Sequence, residues 1–238
     1  MVCKNYSIPC PLTSDFRTID NTPITSIVVD LCDLGFAVAE VEYRRRDDEG
    51  GGWPGTNLDG VEALNALPHV CQEHALHLDL DRVMLVGHSA GGALVLWLGE
   101  QELRVNVRLI VAVAPVTDLE DGYRRRLSDE GDAIELYMKC TPDTAEGLRE
   151  YSKASPIRLL PARRNILLVV GSEDRDVPAD MIEKYYQKAA KEKQDSDLLL
   201  QIVKIPEADH YDILSRGHLA WKKVKDGIVE IWKACTEL

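Results

Sequence analysis

Short runs of apolar and β-branched residues alternate along the chain with longer stretches in which apolar positions recur every three or four residues. This alternation predicts a parallel sheet flanked by helices. The first unit is a helix over SIVVDLCDLG, with Ile27, Val28, Leu31 and Leu34 on one face and Gly35 as its stop. A strand, FAVAEVEY, follows it. Gly50, Gly51, Gly52 and the Trp53-Pro54-Gly55 sequence then form a loop with a proline-fixed turn. A helix from about Asn57 places Leu58, Val61, Leu64 and Leu67 inward, and Pro68 bends or divides it.

Residues 81–86, DRVMLV, read as a strand that runs into GHSAGG and then into a helix through Trp97 and Leu98. VRLIVAVAP is the most apolar strand of the chain and belongs at the centre of the sheet, covered on both faces. Residues 116–153 are polar, helix-like and too long for a simple connection, so a small cap over the sheet edge is expected there. NILLVV and LLLQIVKI are two further strands separated by the helix ADMIEKYYQKAAKEK. A last helix carries Trp221, Val224, Ile228, Val229 and Trp232 as its apolar stripe. One α/β domain over residues 1–238, with 116–153 inserted in it, is the expected organisation.

Composition narrows the choice of partner. The 238 residues are 45% hydrophobic and carry 40 acids against 28 bases, a net charge of −12. Such an excess repels nucleic acid and anionic lipid. The two arginine triplets, Arg44 to Arg46 and Arg124 to Arg126, are each closely followed by acids, which dilute their field. No nucleic-acid or membrane partner is expected. The six cysteines are scattered with no CxxC pair, and Lys4 and Asn5 stand where a signal peptide would be apolar, so a cytoplasmic protein with free thiols is expected. His69, His74 and His77 lack a metal-binding pattern and read as surface residues; no metal or cofactor is expected.

The sharpest chemical signal is Gly87-His88-Ser89-Ala90-Gly91, a G-x-S-x-G between a strand and a helix. The turn forces Ser89 into a strained backbone, and the flanking glycines let strand and helix approach. The Ala90 N–H, at the helix start, is placed to bind a developing oxyanion. A serine nucleophile requires a histidine base held by a carboxylate. His210, a short loop after a strand, is preferred to His218 as that base. Asp174, in the loop after NILLVV, is favoured as the acid, with Asp176 kept as the alternative. Trp53 and His88 are candidate pocket-wall residues; packing roles explain both equally simply.

The segments VEYRRRDDEGGGWPGTNLDG, GHSAGGALVLWL, VAPVTDL, YSKASPIRLLP, VVGSEDRDVP and ADHYDIL, in that order, resemble an α/β-hydrolase of the esterase/lipase branch. That branch includes bifunctional feruloyl and acetyl-xylan esterase-like proteins and is related to the kynurenine formamidases. The resemblance implies a mostly parallel sheet with helices on both faces. It puts the nucleophile on Ser89, the acid on Asp174 and the base on His210. The expected activity is cofactor-independent hydrolysis of a small-molecule carboxylic ester with a short or aromatic acyl group. An arylformamidase acting on N-formylkynurenine is the alternative. Peptidase activity is less expected, as no propeller-sized second domain is seen.

One departure is plain in the sequence. The resemblance calls for an HGG-type oxyanion loop near Cys10, Pro11 and Leu12, and SIPCPLT stands there, with two prolines that have no N–H to donate. VCKNYSI is all that is available for the apolar central strand before it, so an N-terminally shortened sheet is expected. Three outcomes follow: a substituted strand, a rearranged sheet, or a product that folds poorly. A catalytically impaired pseudoenzyme or interaction module is therefore the reading from another class.

Overall fold

The computed structural model describes residues 2–5, 25–127 and 130–236. Six strands form one sheet in the order β2-β1-β3-β4-β5-β6. They are β1 (Val2–Asn5), β2 (Phe36–Val38), β3 (Leu78–His88), β4 (Val107–Val113), β5 (Asn165–Gly171) and β6 (Leu200–Ile205). β3 to β6 run parallel to one another, while β1 lies antiparallel to both β2 and β3. Two reversals restore the direction, so β2 points the same way as β3 and all loops that follow β2, β3, β4, β5 and β6 emerge at one edge.

The position beside the Ser89 strand is thus filled, by a four-residue strand of reversed direction. Of the three outcomes expected for the N-terminus, a substituted strand is the one observed. The segment expected to replace the HGG loop, including Cys10, Pro11 and Leu12, lies outside the described residues.

Strand pleating explains the two-sided core. Along β5, Ile166, Leu168 and Val170 face one layer, whereas Leu167 and Val169 face the other. The first layer contains α2 (Gly55–Glu73), α3 (Ala90–Leu98) and α7 (Ala179–Glu192), with Met181, Ile182, Tyr185 and Ala189 inward at helical spacing. The second contains α1 (Thr25–Asp33) and α8 (Leu219–Thr236), whose Trp221, Val224, Ile228 and Trp232 pack on the sheet. A sheet covered by helices on both faces is the α/β-hydrolase architecture.

Several boundaries differ from the sequence reading. β2 stops at Val38 rather than continuing to Tyr43; among the described residues its ladder is with three residues of β1. α2 begins at Gly55 and passes through Pro68 without dividing. Leu58 on α2 is exposed, whereas Leu64 is buried and Val61 and Leu67 pack beside it. Between β4 and β5 the chain forms α4 (Leu119–Arg125), α5 (Ala133–Met138) and α6 (Ala145–Ala154). These share a small core of their own around Leu119, Ile134, Met138 and Tyr151. No described helix is long and apolar enough to cross a membrane. Cys32, Cys71, Cys140 and Cys235 are free thiols.

Candidate active site

Ser89 sits between β3 and α3 with φ 54° and ψ −118°, a backbone conformation that a residue with a Cβ rarely adopts. Ser89 N–H donates to the Val113 carbonyl at 2.9 Å, and its own carbonyl accepts from Ala93 N–H at 3.1 Å. The strain is therefore held by hydrogen bonds to β4 on one side and to α3 on the other. The glycine before the serine is required, since a Cβ on Gly87 would drive into the Gly91 carbonyl. The glycine after it is not required for that reason. A Cβ on Gly91 would meet only Tyr43 Oη, at 4.0 Å; Gly92, pressed against Pro115, is the residue that needs to be small. Ala90 is the first residue of α3, so its N–H has no intrahelical acceptor, and it makes no hydrogen bond among the described residues.

The loops after β5 and β6 meet closely. Glu173 N–H donates to the Ala208 carbonyl at 3.0 Å, and Gly171 must lack a Cβ because Ala208 crosses directly over it. Ser172 Oγ accepts from Glu207 N–H at 2.9 Å. This junction sets Asp174 Oδ2 2.8 Å from His210 Nδ1, with the Asp174 side chain fully buried and that of His210 5% exposed. Asp174 Oδ1 accepts from the N–H groups of Asp176, at 3.0 Å, and Val177, at 2.8 Å. These three hydrogen bonds engage both oxygens of the carboxylate and fix its orientation. Asp176 lends this cluster its backbone N–H. Its carboxylate lies near the pair, with ligand-type atoms of Asp174, Asp176 and His210 within 4.8 Å of one another.

Three features of the His210 loop carry no sequence signal of their own. His88 Nε2 lies 2.9 Å from the His210 carbonyl oxygen and, in the tautomer with a proton there, donates to it; the two imidazoles are 4.4 Å apart. The residue next to Ser89 thus braces the histidine loop across 122 positions of sequence. Asp209 Oδ1 accepts from the N–H groups of Tyr211 and Asp212, both at 2.8 Å. These donors hold the Asp209 carboxyl below the usual carboxylate range. Tyr211, 54% exposed, sets its ring edge-on to His210 at 5.2 Å. Ser89 Oγ and His210 Nε2 are not joined by a hydrogen bond among the described residues. His218 stands at the start of α8, where its Nδ1 accepts from Ala220 N–H at 3.3 Å.

Trp53 braces the insertion. Its indole N–H donates to Glu150 Oε2 on α6 at 2.9 Å, its ring meets Trp97 edge-on at 5.8 Å, and its backbone N–H donates to the Tyr137 carbonyl on α5. Hydrogen bonds from Lys153 and then Trp53 hold the Glu150 carboxyl below its ordinary range. Tyr137 Oη donates to Asn57 Oδ1 on α2.

A model of the prolyl oligopeptidase family, named for its S9 peptidases, matches residues 25–225. The chain belongs to the prolyl oligopeptidase family. Human acylamino-acid-releasing enzyme is 31% identical over 168 residues, which is 66% of this chain and 22% of that protein. The chain therefore spans about a fifth of the length of the curated relatives it matches. Acylaminoacyl peptidase of Pyrococcus horikoshii superposes with a TM-score of 0.60 at 17% identity, over 76% of this chain and 28% of that one. A truncated carbohydrate esterase from gut microbiota gives 0.66 at 17%, over 84% and 76%. An esterase of Thermogutta terrifontis gives 0.61 at 18%, over 83% and 70%. These structures share the fold. The prolyl oligopeptidase family replaces the narrower expectation: the α/β-hydrolase resemblance holds, but not specifically the branch of feruloyl esterase-like proteins and kynurenine formamidases.

Proposed function

We propose that this protein is a serine hydrolase that transfers the acyl group of a carboxylic ester to Ser89 and then to water. The observation that carries the reading is the buried Asp174–His210 pair in the loop braced by His88, the residue adjoining the strained Ser89. In the proposed reaction His210 Nε2 removes the Ser89 proton as Oγ bonds to the carbonyl carbon, and the carbonyl electron pair moves onto oxygen. Asp174 fixes the imidazole tautomer and steadies its charged form. The oxyanion accepts from Ala90 N–H. Collapse expels the alcohol with the proton carried by His210, and water repeats the sequence to release the acid. The Ser89–His210 contact forms when the substrate is bound, as catalytic hydrogen bonds commonly tighten on binding.

A short or aromatic acyl group fits this reading, with Trp53 proposed as part of the pocket wall. The helices between β4 and β5 carry many charges, which suits a small substrate better than a long lipid. We propose that these helices cap the site. A second reading is favoured by the family and by its acylamino-acid-releasing relatives: cleavage of an acylated amino acid from a peptide. The same triad serves an amide or a formamide, arylformamidase chemistry included, so the leaving group decides between them.

The test compares wild type and Ser89→Ala on p-nitrophenyl acetate, p-nitrophenyl butyrate and N-acetyl-alanine p-nitroanilide. Turnover of the two esters by the wild type, reduced at least about 10³-fold in the variant, is expected. Undiminished specific hydrolysis by S89A overturns the assignment. Preference for the anilide moves the protein to the second reading.

A further inference from the structure

The nucleophile turn and the base loop are each held within their own part of the sheet. Ser89 is tied to β4 and to α3, and the loop that carries His210 is tied to the loop after β5 by the Glu173–Ala208 backbone bond and by Asp174. Neither set of bonds fixes the distance between the two. The hydrogen bond between His88 Nε2 and the His210 carbonyl oxygen, at 2.9 Å, spans that gap directly. His88 is the last residue of β3 and pairs with Val113 of β4 in the parallel ladder, so its ring is carried on a strand rather than on a loop. The imidazole packs at 4.4 Å from that of His210 and at 6.4 Å from the ring of Tyr211, which completes a group of three rings around the bond.

We propose that His88 is the positioning residue for His210, the donor that sets how far the base stands from Ser89. The inference rests on the reading of Ser89 as the nucleophile and His210 as the base. The acceptor is a main-chain oxygen, so the bond places the His210 backbone, whereas Asp174 orients its ring through Nδ1. The two constraints are complementary: one sets where the imidazole is mounted and the other how it is turned. A fixed mounting matters because reacting groups must meet within about 3–3.5 Å, and a displacement of about 1 Å costs about 10²-fold in rate. The arrangement needs the proton of His88 on Nε2. That nitrogen is then committed to the carbonyl, and proton transfer from Ser89 falls to His210. The second position of G-x-S-x-G thus acquires a specific requirement in this chain, a donor at the depth of Nε2. Glutamine meets it, since its Nε2 lies about as far from Cβ as that of histidine. Phenylalanine fills the space without a donor, and asparagine carries its amide at the depth of Nδ1, too short to reach.

Two measurements test the role together: kinetics on p-nitrophenyl acetate, and proton NMR of the His210 Nδ1–H, whose far-downfield resonance is identified by its loss in His210→Gln. His88→Phe is expected to lower kcat about 10²-fold with KM within about twofold, and to broaden that resonance. His88→Gln is expected to bring kcat back to within about fivefold of wild type and to keep the resonance sharp, while His88→Asn behaves like His88→Phe. A merely structural role follows the melting temperature instead and shows no preference for glutamine over asparagine. The proposal is overturned if H88F keeps the wild-type kcat and resonance, or if H88Q and H88N lose equally. Should H88F fail to melt cooperatively, the comparison of H88Q with H88N decides. A wild type that turns over no ester overturns the Ser89 reading, and the His88 bond is then judged on the resonance alone. Sharp in wild type and H88Q but broadened in H88N is the expected result; an equal resonance in all three refutes the proposal.

Discussion

Asp174 is the most constrained charged residue of the candidate site, because one carboxylate oxygen is committed to His210 and the other to two backbone N–H groups. Asp176, two residues on, is half-buried and contributes its N–H to the same turn. The two carboxylates were separable in sequence only by preference. The geometry now sets distinct expectations for them. Asp174→Ala removes the group that orients the imidazole, and kcat on p-nitrophenyl acetate is expected to fall about 10⁴-fold. Asp176→Asn keeps the backbone N–H and is expected to cost less than about tenfold. Steady-state kinetics on both variants check this; a larger loss in D176N than in D174A contradicts the pairing. The role of His88 had no sequence signal beyond its place beside Ser89, since its partner is a backbone carbonyl far along the chain.

At the scale of elements, α1 and α8 are joined by a single buried carboxylate. Asp30 on α1 accepts from Trp221 Nε1 at 2.7 Å and Lys225 Nζ at 2.8 Å, both on α8, and pairs with Arg216 at 3.0 Å. The Lys225 hydrogen bond leads the groups that hold this carboxyl below its ordinary range, against the opposing effect of burial. A lowered folded-state value means that the stabilisation is complete above the unfolded value, near pH 3.9, and is lost as the pH falls through the lower one. Melting temperature followed from pH 7 to pH 2 is therefore expected to fall more steeply for wild type than for Asp30→Asn over the acidic part of the range. Parallel curves contradict the linkage. At pH 7 the variant is expected to be less stable by about 2 kcal/mol.

Helix α8 was legible because its apolar residues recur at helical spacing; the lock to Asp30 was not, since no local pattern marks a partner on another element. β2 was over-read for a related reason. FAVAEVEY has the composition of a long strand, but among the described residues only Phe36, Ala37 and Val38 have a partner strand. Leu58 was misplaced because steps of three residues fall about 60° short of a full turn each, which carries Leu58 about 120° round α2 from the buried Leu64.

Across the whole molecule, the strands β3 to β6 were readable because parallel strands buried on both faces are continuous apolar runs. Their common direction places Ser89, Asp174 and His210 at one edge, a consequence of topology that the sequence order anticipated. The direction of β1 was not readable, as four residues joined through their backbone carry no code for parallel or antiparallel pairing. The central claim is that this edge assembles an activated nucleophile. Diisopropyl fluorophosphate requires such a serine and no knowledge of the natural substrate. Mass spectrometry of the labelled wild type is expected to show about one adduct per chain, mapped to Ser89, and its loss in His210→Gln. Folded wild-type protein that stays unmodified, or carries its adduct on another residue, contradicts the account.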